Sequence, residues 1–278
     1  MAEVIVGKLL ERLRKGYYGS FLESVIQSLG IEPKISELYW RIQLIYADRI
    51  VTAEVGGVEA DFSIETWREL RRINTFRGEK TILEAIIEET TDGDIFYDVG
   101  ANIGLYACFV AGAADGVQIY AFEPHPNNAR KLRKNMNLNS VSGKVVEAAL
   151  LDRKGEFTLV IDDEVAGSGQ SHIGESTIGR DKVAVSTLTG DQFAIENTNP
   201  DIIKIDVEGA ETAVLNGFSE TLEEGGCRSI YCEIHPKKLK QYNSDVEELY
   251  RTFQSTNYKY NKFDDRGNET FLKATLLK

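Results

Sequence analysis

Apolar residues along the chain keep a helical period at first and a strand–helix alternation later. Val4, Ile5, Leu9, Leu10 and Leu13 recur at helical spacing beside Lys8, Arg12 and Lys15, and Phe21, Leu22, Val25, Ile26 and Leu29 continue the period. That spacing predicts helix over residues 1 to about 50. Strand-like residues then flank Gly56-Gly57 between Ile50 and Ile64, the pattern of a hairpin. Helix returns over residues 65–90, where Ile82, Leu83, Ile86 and Ile87 form one stripe.

From Asp94 onward short apolar runs alternate with helical segments. Strands are predicted over residues 95–99, 117–122, 145–149, 202–207 and 229–234. Helices are predicted from about residue 103 and over 127–137, 211–216 and 244–254. Runs so short and uniformly apolar suit an α/β fold whose parallel sheet carries helices on both faces. The end of the chain breaks this rhythm. Residues 258–263 and 270–277 read as strands joined by Asp264-Asp265-Arg266-Gly267-Asn268 with no helix between them, which predicts a terminal antiparallel hairpin. Residues 156–161 and 183–188 read as strands flanking a polar stretch, 162–182, which is either a solvent loop or a flap over a pocket. The expected organisation is a mainly helical appendage with a hairpin, residues 1–78, followed by an α/β domain, residues 79–278.

Charge narrows the partners. The 278 residues carry 32 Lys plus Arg against 44 Asp plus Glu, a net charge of −12. With no dense basic run, such a chain repels a phosphate backbone, so nucleic acid is not an expected partner. The longest stretch without charged or strongly polar residues, 103–114, falls short of the roughly 20 apolar residues of a membrane-spanning helix. Glu3, Lys8, Glu11, Arg12 and Arg14 interrupt the apolar N-terminus, so no signal-peptide core is expected. Cys108, Cys227 and Cys232 form no C-x-x-C pair and are odd in number, as suits reduced thiols of a cytoplasmic protein. The N-terminal helical stretch is expected to pack on the main domain or on a second copy, as in a homodimer. The alternative is a weak peripheral membrane contact through its basic amphipathic face.

The candidate chemistry begins where the strand over 95–99 ends. Asp98-Val99-Gly100-Ala101-Asn102-Ile103-Gly104 closes a strand and opens a helix. Glycines there admit a ligand close to the backbone, and the helix start offers free N–H groups to an anion. The G-x-x-x-G spacing is not the G-x-G-x-x-G of dinucleotide folds. Asp98, two positions before the first glycine, suits an ammonium group better than a pyrophosphate. S-adenosylmethionine carries such an amine, and a carboxylate for the N–H groups. Glu123 closes the next strand, where a carboxylate can accept hydrogen bonds from both ribose hydroxyls. Pro124 then offers an adenine ring a surface, with His125 at its border, and the small residues of Glu147-Ala148-Ala149 leave room for a flat ring. Two alternatives stand beside this reading. One is an NAD-dependent oxidoreductase, which the missing third glycine and the terminal hairpin disfavour. The other is a protein that binds S-adenosylmethionine without catalysis.

A second motif spans residues 201–211, Asp-Ile-Ile-Lys-Ile-Asp-Val-Glu-Gly-Ala-Glu. Strand alternation sends Lys204, Asp206 and Glu208 to one face. Three charges on a buried strand must pair or serve chemistry. A structural Lys204–Glu pair is one option; near the strand's end Asp206 and Glu208 read as functional. Cys232-Glu233-Ile234-His235 brings a further carboxylate and an imidazole to another strand end. Glu233, on the same face, would orient His235, whose unperturbed imidazole titrates near neutral pH.

D-V-G-A-N-I-G, F-E-P-H-P, L-R-K-N-M-N-L-N, K-I-D-V-E-G-A-E-T-A-V-L-N-G and C-E-I-H follow one another over about residues 79–236. In that order they resemble the FkbM family of S-adenosylmethionine-dependent methyltransferases. Thr189-Gly190 departs from the family's pattern, in which an acidic residue follows the Thr-Leu pair. The resemblance implies the class I methyltransferase sheet, Rossmann-like, with a C-terminal antiparallel hairpin. It implies S-adenosyl-L-methionine as cofactor, with Asp98, Gly100, Ala101, Asn102 and Gly104 around the methionine part, Glu123 on the ribose, and Pro124 and Ala148 at the adenine. It also implies methylation of a hydroxyl on a sugar, glycolipid or polyketide-like metabolite, a small-molecule or glycan acceptor. A protonated alcohol is a poor nucleophile, so transfer to oxygen needs a general base or a metal. Asp206, Glu208 and His235 are the candidate catalytic groups, with His172 of the polar stretch outside them. Asp206, Glu208, Glu233 and His235 would equally suit a divalent cation, which the sequence leaves unassigned.

Overall fold

The computed structural model describes residues 32–161, 171–173, 181–265 and 269–277. Helix α1 (Glu32–Tyr46) leads into a hairpin of β1 (Ile50–Val55) and β2 (Val58–Ser63). Its turn is Gly56-Gly57, with φ of 58° and 82°, as the glycine pair predicts. The helix expected over 65–90 is two helices, α2 (Trp67–Thr75) and α3 (Lys80–Glu89). Phe76 takes a left-handed conformation, φ 50°, and a 3-10 turn over Phe76–Gly78 separates them. Thr66 and Glu69 close a reciprocal capping box at the start of α2. The helical stretch expected over residues 1–31 lies outside the described residues.

Chain order then gives strands β3 (Ile95–Val99), β4 (Gln118–Phe122), β5 (Gly143–Val146), β6 (Ala149–Leu150), β7 (Gly155–Ile161), β8 (Ser171–Ile173) and β9 (Asp181–Leu188). They are followed by β10 (Ile202–Ile205), β11 (Ser229–Ile234), β12 (Tyr258–Asp265) and β13 (Thr270–Leu276). The remaining helices are α4 (Leu105–Ala111), α5 (Pro126–Leu138), α6 (Gly190–Glu196), α7 (Glu211–Asn216), α8 (Ser219–Glu223), α9 (Pro236–Leu239) and α10 (Val246–Gln254).

The main sheet has the order β12-β13-β11-β10-β3-β4-β5. Its five strands from β11 to β5 run parallel, β13 is antiparallel to β11, and β12 is antiparallel to β13. This is the class I methyltransferase sheet, and the terminal hairpin is the one predicted. Alternation along the strands feeds two cores. Phe96, Ile119 and Ala121 pack against α3, α4 and α5 on one face, while Tyr97, Val99, Ile203 and Ile205 pack against α6, α7 and α10 on the other. The first core also takes in Trp40 of α1 and Val55 and Phe62 of the hairpin. Phe62 and Phe76 both lie against Phe109, at ring-centroid distances of 5.7 and 6.0 Å.

Two strands end earlier than their apolar runs. The run predicted over 145–149 splits, because Ala149 and Leu150 leave the main sheet to pair with β9 in a second sheet of order β6-β9-β7-β8. The strand predicted over 202–207 stops at Ile205. Apolarity marks burial, not the pairing partner. The polar stretch beyond β7 lies largely outside the described residues, and His172 is seen only as backbone of β8. Cys108, Cys227 and Cys232 are buried and unbridged. Among the described residues no helix is long and apolar enough to cross a membrane.

Candidate active site

A cleft opens along the C-terminal ends of β11, β10, β3 and β4 and against the second sheet. In parallel α/β sheets this is the edge where ligands collect. At its centre the turn after β3 is drawn tight: the N–H groups of Gly100 and Ala101 both donate to the Phe122 carbonyl at 3.0 Å. Gly100 has φ 77°, and a Cβ there would collide with the Asp206 carbonyl oxygen, so only glycine fits.

Glu123 ties this turn to the end of β4. One carboxylate oxygen accepts from the Asn102 N–H and the other from the His125 N–H, each at 2.8 Å. Burial pushes its carboxyl up to about 7, although the two backbone N–H groups, Asn128 and Lys204 pull the other way. Gly100, Asn102, Glu123, Pro124 and Ala148 all line the cleft.

Asp98, Ala101, Gly104 and His125 do not line it; they shape the turn. Asp98 is fully buried beneath it, 3.2 Å from the Lys204 ammonium, and accepts from the Ala107 N–H. Lys204 also donates to the Gly100 carbonyl at 2.9 Å. The partner of Lys204 is thus Asp98, with Asp206 at 3.9 Å, and not a glutamate. Gly104, φ 89°, begins α4 so close to Leu132 that a Cβ would approach it to 2.6 Å. His125, expected beside an adenine, caps α5: its Nδ1 accepts from the Asn127 N–H at 3.1 Å.

On the other side of the turn stand Asp206, Glu208 and His235. Asp206 donates its N–H to the Val99 carbonyl at 3.0 Å and turns its carboxylate into the cleft. Glu208 adopts φ 56°, an uncommon conformation for a residue with a long side chain, and its carboxylate meets the Lys238 ammonium. His235 follows β11 and is buried. Its Nδ1 lies 2.7 Å from Glu211 Oε1, while its Nε2 faces Glu208 Oε2 at 3.4 Å and Asp206 Oδ1 at 3.8 Å. Glu211, at the start of α7, therefore orients the ring, the part expected of Glu233. Burial alone would lower the imidazole, but the Glu211 hydrogen bond and the charges of Asp206, Glu211 and Glu208 outweigh it and push it up to about 10. The ring is thus charged at neutral pH, contrary to the expectation that it titrates there. Burial works to raise Asp206, yet Lys204, His235 and Arg72 hold it below the usual carboxylate range. Burial and the neighbouring Asp206 charge push Glu208 up.

The family model of the methyltransferase FkbM domain matches residues 98–260, more than half of the chain. The chain belongs to the FkbM methyltransferase family. It is 30% identical over 201 residues to the hexuronic acid methyltransferase AglP of Haloferax volcanii, covering 70% of this chain and 80% of that protein. It is 29% identical over 161 residues to the 2-O-methyltransferase NoeI of Sinorhizobium fredii, covering 52% of this chain and 65% of that protein. A crystal structure of methyltransferase FkbM from Methylobacillus flagellatus aligns with a TM-score of 0.47 at 18% identity, over 67% of this chain and 44% of that one.

The FkbM domain borrows part of its cleft from segments without a sequence signal. Arg72 of α2 and Glu79 before α3 line it as a buried pair 3.1 Å apart, and Glu269 borders it ahead of β13. Arg72 sits on α2, for which the pattern over 65–90 announces only a helix, with its apolar stripe further on over residues 82–87. Glu211 was visible within the E-G-A-E motif, but nothing in strand periodicity directs a helix residue toward His235. Only the fold brings them together.

Proposed function

We propose that this FkbM methyltransferase uses S-adenosylmethionine to methylate a hydroxyl of a sugar-type acceptor. The observation that carries the reading is a single cleft lined by Gly100, Asn102 and Glu123 on one side and by Asp206, Glu208 and His235 on the other. Its residues fit the cofactor: the tight turn at Gly100 brings bare backbone to the cleft wall, the buried Glu123 carboxylate suits ribose hydroxyls, and the many carboxylates suit a cation. When bound, S-adenosylmethionine supplies a methyl group already activated on a sulfonium. Pro124 and Ala148 would flank its adenine. Leu150, Leu151 and Leu159 form an apolar wall that would keep water from the reacting centre. Glu208, with its carboxyl raised and its side chain partly exposed, would take the acceptor's proton. His235, held charged by Glu211, is a hydrogen-bond donor to the acceptor oxygen rather than a base. The hexuronic acid methyltransferase and the 2-O-methyltransferase among the relatives support a hydroxyl acceptor of sugar type.

Calorimetric titration with S-adenosylhomocysteine and, in parallel, with NAD tests the cofactor. Binding of the first alone is expected, and binding of NAD alone would overturn the reading. Transfer of labelled methyl from S-adenosylmethionine to a panel of sugars and uronic acids tests the chemistry. Glu208→Gln should lower turnover by roughly 10²- to 10⁴-fold while leaving S-adenosylhomocysteine affinity unchanged.

A further inference from the structure

The cleft is lined by more negative charge than its neighbours offset. Among the described residues Glu79, Glu123, Asp206, Glu208, Glu233 and Glu269 line it, against Arg72 and His235 as lining cations. The excess is densest at the ends of β10 and β11. There Asp206, Glu233 and His235 each offer one ligand atom, all within 4.8 Å of one another, and Glu233 and His235 are buried. His235 Nε2 stands 3.8 Å from Asp206 Oδ1, too far for a good hydrogen bond. Atoms that share one ion at about 2.1 Å lie roughly 3–4.2 Å apart, depending on the angle between them. The 3.8 Å between His235 Nε2 and Asp206 Oδ1 falls in that range.

The far side of the imidazole supplies an independent observation. Glu211 is wholly buried and holds His235 Nδ1 at 2.7 Å while accepting from the Gly209 N–H at 2.9 Å. Among the described residues its other oxygen has no hydrogen-bond partner. A carboxylate on Nδ1 is the outer-shell arrangement that aims Nε2 of a ligating histidine and raises its basicity. A buried carboxylate with an orphaned oxygen is costly unless positive charge lies close by. One imidazolium faces Glu211, Asp206 and Glu208 together; Lys238 meets Glu208, and Lys204, 3.9 Å from Asp206, is shared with the fully buried Asp98 at 3.2 Å.

We propose that Asp206, Glu233 and His235 form a divalent-cation site, with Glu211 as the positioning residue for the imidazole. Two carboxylates and one ring nitrogen suit an oxygen-preferring ion such as Mg²⁺ or Mn²⁺, and leave coordination positions open toward the cleft. The cation takes the place of the Nε2 proton, which is released to solvent, so that with the ion bound the cation, and not the imidazolium N–H of the metal-free chain, holds the acceptor oxygen. Its use, holding an acceptor oxygen, rests on the methyltransferase reading; its existence does not.

The test is Mn²⁺ titration of the chelator-stripped full chain, following free Mn²⁺ by electron paramagnetic resonance. One saturable site that Mg²⁺ displaces is expected. His235→Gln and Glu233→Gln should weaken it at least tenfold, and Glu211→Gln by roughly 10- to 100-fold, with circular dichroism confirming the fold of each variant. No saturable binding by the wild-type chain overturns the proposal, as does wild-type affinity in folded His235→Gln. Should the variants not fold, substoichiometric Mn²⁺ decides on the wild-type chain: the His235 ring resonances must broaden, and sharp resonances in the presence of bound Mn²⁺ overturn the site. Titration with S-adenosylhomocysteine in the absence of metal keeps the two readings apart. Cofactor binding without a Mn²⁺ site sinks only the cation proposal, and a Mn²⁺ site without cofactor binding sinks only the methyltransferase mechanism.

Discussion

Glu123 shows how one buried carboxylate serves both the fold and the proposed cofactor site. It accepts two backbone N–H groups at 2.8 Å, yet burial keeps its carboxyl at about 7 against an ordinary 4.5. The folded chain therefore holds this proton more tightly than the unfolded chain. Its contribution to stability is complete below about pH 4.5 and is lost as pH rises through about 7. The wild-type unfolding free energy should accordingly fall between pH 5 and pH 8 more steeply than that of Glu123→Gln, as urea melts across that range will read. Ligand affinity should run in the opposite direction, because ribose hydroxyls need the ionised form. S-adenosylhomocysteine should bind more weakly as pH drops below about 7 in the wild-type chain. In Glu123→Gln it should bind weakly at every pH, by about 1.5–3 kcal/mol relative to wild type at pH 8. A flat wild-type profile would remove the ribose role.

Among the elements, α5 shows what a sequence motif can mean without touching a ligand. Its L-R-K-N-M-N-L-N run carries family resemblance, and the structure gives its asparagines structural work. Asn135 is fully buried; its Oδ1 accepts from the Ser63 N–H at 3.0 Å and its Nδ2 donates to the Ile103 carbonyl at 2.8 Å. Asn139 bonds both the N–H and the carbonyl of Asp61. The helix thus fastens the hairpin to the loop after the glycine turn. Asn135→Ala would leave the Ser63 N–H and the Ile103 carbonyl without partners, and should cost about 1–3 kcal/mol in a urea melt. The parallel strands, the glycine turn, Glu123 and the terminal hairpin were legible in sequence because each follows from periodicity or from residue type at a strand end. The split of the 145–149 run and the stop of β10 at Ile205 were not, since a buried apolar residue reads alike in either sheet or beyond either ladder. The Glu211–His235 contact joins positions 24 apart on a helix and a strand end, and Arg72 reaches the cleft from α2. Neither distance is encoded in local pattern.

At the scale of the whole molecule, the decisive question is whether the segment before residue 79 folds with the sheet or beside it. Periodicity divided the chain there, but the buried cluster around Phe109 runs across the division and includes Trp40, Phe62, Ile64 and Leu70. Arg72 and Glu79, one on each side, form a buried pair in the cleft wall. A segment that shares both a core and a site wall should melt with the domain it completes. The two tryptophans, Trp40 and Trp67, both lie in this segment, whereas the strands of the main sheet lie after it. Tryptophan fluorescence therefore reports the segment, and far-ultraviolet circular dichroism is dominated by the rest. The two urea transitions should coincide in the wild-type chain. Phe62→Ala, at a fully buried ring packed on Phe109, should shift both together by about 3–5 kcal/mol. A fluorescence transition that moves alone would make the segment a separate folding unit. It would then leave Arg72 and its part of the cleft wall dependent on a docking equilibrium rather than on the fold.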